Sequence, residues 1–199
     1  MDEGVIKFAC AWEPGPPAPI EAVAELCLWR DRLRDLGLVG HDVAHDVGYG
    51  NVSVRAPDGT VFVTGTQTGH VAHLGPDHIA RVTDYDIVTN RLACTGPVEA
   101  SSESLTHLAL YDACPNVRAI IHVHAADLWA HLRGRAPTTP EDVAYGTPAM
   151  AEAVADLARQ APLGGVLVMA GHPDGVIAYG AACGDAGERL LGEVARVRS

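Results

Sequence analysis

The chain has 199 residues, of which 48% are apolar and 20% charged, and this composition is typical of one globular domain with a substantial core. The net charge of −11 argues against a nucleic-acid-binding surface, because backbone phosphates would be repelled. No apolar run reaches the roughly 20 residues that a membrane-spanning helix needs, and the N-terminus lacks the basic start and apolar core of a signal peptide.

The first half of the chain predicts a helix followed by a pair of strands. After an irregular, proline-rich lead-in over residues 1–18, a helix is predicted from Pro19 to about Leu36. The segments "NVSVR" and "TVFVT" predict two strands joined by a tight turn at Asp58 and Gly59. A loop rich in glycine and threonine, "TGTQTG", follows them.

The second half of the chain predicts helices and strands in alternation. A short helix is expected at Asp77–Val82 and a strand pair over Asp86–Thr95. The later elements are a helix at Ser101–Ala113, a strand at Val117–His124, helices at Ala125–Leu132 and Ala149–Gln160, strands at Val166–Met169 and Gly175–Tyr179, and a helix at Gly184–Val197. The whole chain is therefore predicted to be a single α/β or α+β layered domain with a mostly antiparallel central sheet.

Histidines near the end of one predicted strand indicate a metal site. His122 and His124 are one residue apart in "VRAIIHVHA", so their side chains should project from the same face of the strand. A third histidine, His172, lies in the turn of "MAGHPDGVIAYG", and Glu103 precedes the pair by 19 residues. Imidazoles with a nearby carboxylate suit a divalent metal, although each of these residues alone also fits an ordinary structural role.

Two features indicate a binding site for an anion. Ser101 and Ser102, together with the free amides at a helix start, form a cradle that favours negative charge. The turns "GYGNVSVR" and "TGTQTG" offer backbone amides and hydroxyls, but ordinary hairpin turns have the same composition.

Lysine and cysteine usage restricts the chemistry. Lys7 is the single lysine and lies in the N-terminal lead-in, so the body of the domain offers no lysine for Schiff-base catalysis. This absence favours a metal as the electrophile for any carbonyl chemistry. The five cysteines are scattered and contain no Cys-x-x-Cys, which predicts reduced thiols and a cytoplasmic location.

Taken together in their order, these motifs resemble the class II aldolase/adducin family. The matching segments are "GNVSVR", the threonine and glycine loop, "SSESLTHLALY", "AIIHVHA" and "GHPDGVIAYG". The resemblance extends from the first helix to the C-terminus, and it departs from the family pattern at Ala100, at the length of the threonine loop, and at Pro173 and Asp174.

The resemblance implies a role for each candidate residue. His122, His124 and His172 would hold a divalent ion, most simply Zn²⁺, with Mn²⁺, Fe²⁺ or Co²⁺ as alternatives. Glu103 would be the catalytic acid or base, and Asp142 is similar to an aspartate that serves as acid or base in the family's epimerases. The phosphate of the substrate would bind to Asn51, Ser101, Ser102 and either Thr64-Gly65 or, as we favour, Thr68 and Gly69.

The implied activity is retro-aldol cleavage of a small ketose phosphate through a metal-stabilised enediolate. A sugar-phosphate 4-epimerase, a dehydratase of the same fold and a non-catalytic adducin-like binding module are the alternatives. The family also implies a homotetramer with its site at a subunit interface.

Overall fold

The computed structural model describes residues 6–198 and contains one large sheet with helices on both faces. The strands are β1 (Ala9–Pro14), β2 (Gly40–Asp42), β3 (Val47–Tyr49), β4 (Asn51–Arg55), β5 (Val61–Thr64), β6 (Ile79–Asp86), β7 (Arg91–Gly96), β8 (Ala119–His124), β9 (Gly165–Val168) and β10 (Gly175–Gly180). Eight of them form the sheet in the order β1-β7-β6-β5-β4-β8-β10-β9, and β2 pairs with β3. Every pairing in the sheet is antiparallel except that of β1 with β7, which confirms the predicted architecture.

Five α-helices cover the two faces of this sheet. They are α1 (Ile20–Asp35), α2 (Ser104–Ala113), α3 (Ala126–Leu132), α4 (Pro148–Ala158) and α5 (Cys183–Arg198). The apolar side chains of α1, α3 and α5 belong to the core on one face, and those of α2 and α4 belong to the core on the other. Within residues 6–198, no helix combines the length and apolarity needed to cross a membrane.

The sequence predicted an irregular lead-in over residues 1–18, but part of this segment forms a strand. Residues 1–5 lie outside the described part of the chain, but Ala9–Pro14 forms β1 at the edge of the sheet. This strand runs parallel to β7, and the indole Nε1 of Trp12 donates a hydrogen bond to the carbonyl of Gly96 at 3.0 Å. The pairing joins segments more than 80 residues apart, so the local proline-rich composition gave no sign of it.

The prediction of a helix at Asp77–Val82 was wrong. Only Pro76–His78 forms a short 3₁₀ turn, and the chain then continues as β6. Ile79 and Ala80 are buried and pair with β5, so burial in the sheet outweighs the weak local helical signal. The hairpin of β2 and β3 was not predicted either.

Candidate active site

The His-x-His pair lies at the end of a central strand of the sheet. β8 is flanked by β4 and β10, and His122 is in register with Asn51 and Ile177. The Nε2 atoms of His122 and His124 are 3.1 Å apart, so the two side chains share one face as the alternation predicted. Two nitrogens that bind one tetrahedral ion at about 2.0–2.1 Å each lie about 3.3 Å apart, a spacing close to the one observed.

His172 completes this cluster from the loop between β9 and β10. Candidate ligand nitrogens of His122, His124 and His172 all lie within 4.8 Å of one another. The loop turns back through Asp174, whose φ is +65°, and the amide of Gly175 donates to the carbonyl of His172 at 3.0 Å. The Pro-Asp insertion is therefore compatible with a third histidine directed at the pair.

Gly175 leaves the room that the cluster needs. A Cβ at this position would lie 2.9 Å from Cδ2 of His172 and 3.2 Å from Cε1 of His122. A side chain here would force at least one of the two imidazoles to shift, because a Cβ at 2.9 Å is closer than van der Waals contact allows.

The environment keeps His122 and His172 neutral, which is the form that binds a metal. Burial, and then the neighbouring His124 and His172, hold the pKa of His122 well below its ordinary value. Burial, followed by His124 and Lys7, does the same for the pKa of His172. Nδ1 of His122 lies 3.3 Å from the carbonyl of Val176 and donates to it, so the lone pair is left on Nε2, beside His124.

These buried histidines predict that the metal-free protein loses stability in acid. Burial also lowers the pKa of His107 to about 3, whereas an unfolded chain protonates histidine near pH 6.5. Below that pH the unfolded state binds more protons than the folded state, so the free energy of unfolding falls as the pH falls, by up to about 1.4 kcal/mol per pH unit for each histidine.

Urea titrations of the metal-free protein between about pH 7 and about pH 5 measure this loss. His107→Gln should reduce the pH dependence, because it removes one of the buried imidazoles. A free energy of unfolding that stays constant over this range would contradict the prediction.

Glu103 lies at the N-terminal end of α2, next to the histidines. The helix begins at Ser104, with Glu103 at the N-cap position, rather than at Ser101 as predicted. The side chain is buried, with 3% of its surface exposed, and its Oε2 accepts a hydrogen bond from Oγ1 of Thr106 at 2.9 Å. The carboxylate is thus held in a fixed position within a pocket that His122 also lines.

Ser101 does not cap the helix because a neighbouring strand binds its hydroxyl. Nδ2 of Asn51 donates to Oγ of Ser101 at 2.6 Å, and the backbone bridge between Gly65 and Ala100 holds this segment out of the helix. Ser101 therefore lines the pocket, while its carbonyl accepts hydrogen bonds from the amide and the hydroxyl of Ser104 at the helix start.

One small pocket brings together the residues predicted to bind an anion. It is lined by Gly48, Gly50, Asn51, Gly65, Thr66, Gln67, Thr68, Gly69, Ser101, Ser102, Glu103 and His122, and we call it the anion pocket. Thr64 is not in this lining, since its hydroxyl accepts from the amide of Val52 within the sheet. Of the two alternatives left open by the sequence, the Thr68-Gly69 pair lies in the pocket together with Gly65.

A wider cleft opens on the other side of His124. It has a volume of about 900 Å³, and its walls include Val43, Val47, Tyr49, His124 and Tyr145. A cleft of this size is in the range of small-molecule sites. The histidine cluster therefore stands between the anion pocket and a larger, mostly apolar space.

Asp142 does not line the candidate active site of its own chain. It is exposed in the loop before α4 and lines neither the anion pocket nor the cleft. Its catalytic role remains a prediction that would require another copy of the chain.

Lys7 lies closer to the site than the sequence suggested, and Tyr145 lies between it and the histidine cluster. The Tyr145 ring stacks on His172 with centroids 4.2 Å apart, and Nζ of Lys7 is 3.4 Å from the centroid of the same tyrosine ring. The single lysine is therefore next to the histidine cluster rather than remote from it. The pairing of β1 with β7 and a hydrogen bond from Nδ2 of Asn90 to the carbonyl of Lys7 place residue 7 here.

Comparison with known proteins gives a family. The family model for the class II aldolase and adducin N-terminal domain matches residues 37–192. The chain also resembles the solved structure of L-fuculose-1-phosphate aldolase from Thermus thermophilus, with a TM-score of 0.66 and 20% sequence identity over 90% of this chain and 92% of that one. At this identity the structural match shows the fold alone.

Two curated relatives match shorter segments of the chain. One is a methylthioribulose-1-phosphate dehydratase of Gluconacetobacter diazotrophicus, 37% identical over 76 residues, which are 38% of this chain and 34% of the relative. The other is a 3-oxo-tetronate 4-phosphate decarboxylase of Haemophilus influenzae, 37% identical over 83 residues, which are 42% of this chain and 36% of the relative. The matched segments span about a third of the length of these relatives.

Proposed function

The chain belongs to the class II aldolase and adducin N-terminal domain family, and on that premise we propose that it is a metal-dependent aldolase that cleaves a small ketose phosphate. One observation supports this most strongly. Three histidines whose candidate ligand nitrogens lie within 4.8 Å of one another adjoin a pocket that contains a buried carboxylate and a set of neutral hydrogen-bond donors.

The histidines fit a divalent ion in spacing, protonation and orientation. Their nitrogens lie close together, burial keeps His122 and His172 neutral, and the carbonyl of Val176 orients the lone pair of His122 towards His124. Three neutral ligands suit Zn²⁺, with Mn²⁺, Fe²⁺ and Co²⁺ as alternatives. A bound ion would supply a Lewis acid that polarises the ketose carbonyl.

Glu103 is proposed to move the proton at the carbon next to that carbonyl. In cleavage Glu103 takes the proton of the hydroxyl that becomes the aldehyde as the C–C bond breaks, and then gives that proton to the carbon left behind; in the reverse reaction it removes the proton from this carbon and returns it to the new hydroxyl. Thr106 holds Oε2, so the carboxylate keeps one orientation through both directions. Burial of Glu103 excludes bulk water from the proton transfer.

The phosphate is proposed to bind in the anion pocket through neutral donors. Within residues 6–198, no lysine or arginine lines this pocket, so backbone amides, Ser101, Ser102 and the amide of Asn51 must do the binding. Oδ1 of Asn51 is buried with no hydrogen-bond partner among residues 6–198, while its Nδ2 contacts Ser101. Rotation of this amide would let Ser101 donate to Oδ1 and direct the NH₂ group at an anion.

Incubation of the metal-loaded protein with ketose 1-phosphates of different length and stereochemistry tests the proposal. Release of dihydroxyacetone phosphate, measured with a coupled reductase, is expected for at least one of them. Loss of water instead of cleavage, detected by mass spectrometry, would establish the dehydratase.

The dehydratase is the second candidate because of the wide cleft. Val43, Val47, Tyr49 and Tyr145 offer an apolar wall to the end of a substrate that lies beyond the metal site. An apolar tail of the methylthioribulose kind would fit such a wall better than a sugar hydroxyl would. In that reaction Glu103 would remove the proton beside the carbonyl.

Asp142→Asn is expected to separate the aldolase from the epimerase. If Asp142 is an acid or base of an epimerase, its loss should lower epimer formation by about 10²-fold or more. An aldolase that relies on Glu103 should lose less than about threefold, because Asp142 is exposed and outside the pockets of its own chain. Product analysis by NMR distinguishes the two, and strong loss of cleavage in the variant would contradict the aldolase assignment of Glu103.

We also propose that the protein forms a homotetramer in the cytoplasm. The site is open on the cleft side, and the exposed Asp142 could reach a site only in another copy of the chain. Sedimentation of the metal-loaded protein measures the assembly, and a monomer with full activity would remove any role for a neighbouring subunit.

A further inference from the structure

Arg30 is a buried guanidinium on α1 that binds the loop of the anion pocket. Only 1% of its surface is exposed, and it lies outside the segment that the family model matches. Its Nη2 donates to the carbonyls of Thr68 and Gly69 at 2.6 and 3.2 Å, and its Nη1 donates to the carbonyl of Val71 at 2.5 Å.

Asp31, the next residue on the same helix, fixes the far end of this loop. Its Oδ1 accepts from the amide of Leu74 at 3.1 Å and lies 3.3 Å from Nη1 of Arg30. The ion pair thus connects both ends of residues 68–74 to one rigid helix. A loop held at four backbone positions has little freedom to change the orientation of its peptide groups.

The hydrogen bond from Arg30 to the Thr68 carbonyl determines the direction of the Gly69 N–H. In a planar trans peptide the carbonyl and the following N–H point in opposite directions, so the Gly69 N–H is directed away from the guanidinium. Among residues 6–198, no acceptor binds this amide. A Cβ on Gly69 would lie 1.9 Å from the carbonyl oxygen of Gly40, so close packing against β2 also prevents the peptide from turning.

Arg30 also strengthens the donors of a pocket whose described lining has no cationic side chain. The guanidinium is paired with Asp31, so it acts through its hydrogen bonds and not through a net charge. Its bonds to the Thr68 and Gly69 carbonyls polarise the Thr68-Gly69 and Gly69-His70 peptides, which makes their N–H groups better donors to an anion.

We propose that Arg30 is the positioning residue of the anion pocket, holding the Gly69 amide towards a phosphate monoester. This inference rests on the proposed phosphate-binding function of the pocket. Arg30 does not contact the substrate, and it acts through the backbone of residues 68–71.

Arg30→Lys, with Arg55→Lys as a matched control, tests this role. Arg55 is a second guanidinium that binds backbone carbonyls, those of Tyr111, Cys114, Pro115 and Val117, at the end of β4 away from the anion pocket. Lysine keeps the charge in both variants but cannot reproduce the forked hydrogen bonds. The affinity of each metal-loaded protein for inorganic phosphate is measured by calorimetry, alongside its metal content and melting temperature.

The expected result is that Arg30→Lys weakens phosphate binding at least about tenfold while Arg55→Lys changes it less than about twofold, at equal metal content. In turnover, Arg30→Lys should raise KM for a phosphorylated ketose while kcat changes less than about threefold. Unchanged phosphate affinity in a folded Arg30→Lys variant overturns the role of Arg30 alone. Lack of phosphate binding by the wild-type protein overturns both this role and the phosphate pocket of the proposed function.

A measurement on the wild-type protein covers the case in which Arg30→Lys does not fold. The amide proton of Gly69 is expected to shift downfield when phosphate is added, because a charge-assisted hydrogen bond forms there. Binding of phosphate without any change at Gly69 would overturn the inference.

Discussion

The double variant His122→Ala/His124→Ala is expected to lose its metal and all measurable turnover. Removal of two of the three histidine ligands leaves His172 alone. A single imidazole binds a divalent ion too weakly to retain it during gel filtration. The prediction is close to one ion per chain in the wild-type protein and less than about one tenth of that in the variant, measured by elemental analysis after gel filtration. Activity should fall to the uncatalysed background, because the carbonyl then lacks its electrophile.

His131→Ala provides the control for histidine content. His131 lies outside the cluster and lines neither the anion pocket nor the cleft, so the control variant should keep both its metal and its activity. Circular dichroism must show that His122→Ala/His124→Ala is folded, since both residues lie in a central strand. A folded variant that retains a full complement of metal would show that the ion binds elsewhere.

Glu103→Gln is expected to keep the metal and lose about 10³-fold or more in kcat. Glutamine has the same shape and can still accept from Thr106, so the pocket should retain its geometry. It cannot take up or release a proton, and the step at the carbon beside the carbonyl then has no acid or base. KM should change little, because Glu103 is proposed to act on the proton rather than to bind the phosphate.

Glu152→Gln, at an exposed position on α4, is the matched control and should behave as the wild type does. Metal analysis separates a chemical defect from loss of the ion. If Glu103→Gln retained near-normal turnover with metal bound, Glu103 would have no part in the mechanism.

Local patterns were enough to predict the elements that carry the histidines. The alternating strand of His122 and His124 placed both rings on one face, and they lie with their centroids 4.9 Å apart. The helix predicted from Pro19 and the strand pair around Asp58 also agree closely with α1, β4 and β5. In these segments side-chain periodicity and turn residues specify the same structure as the tertiary packing does.

Features that depend on distant contacts could not be predicted in this way. The start of α2 moved from Ser101 to Ser104 because Asn51, 50 residues earlier, binds the Ser101 hydroxyl. The approach of Lys7 to Tyr145 depends on a parallel strand pairing at the sheet edge, and Arg30 reaches the threonine loop across about 40 residues of chain. No spacing or local composition encodes such contacts.

The proposal that the protein is a metal-dependent aldolase is tested most directly by hydrogen exchange in dihydroxyacetone phosphate. This exchange requires the metal, Glu103 and the phosphate pocket but no particular aldehyde. The metal-loaded protein is incubated with this compound in heavy water, and the hydrogens of its hydroxymethyl carbon are followed by proton NMR. One of the two hydrogens should be replaced by deuterium, and the exchange should stop when the metal is removed or when Glu103 is replaced by glutamine. No exchange by fully metal-loaded wild-type protein would contradict the aldolase assignment.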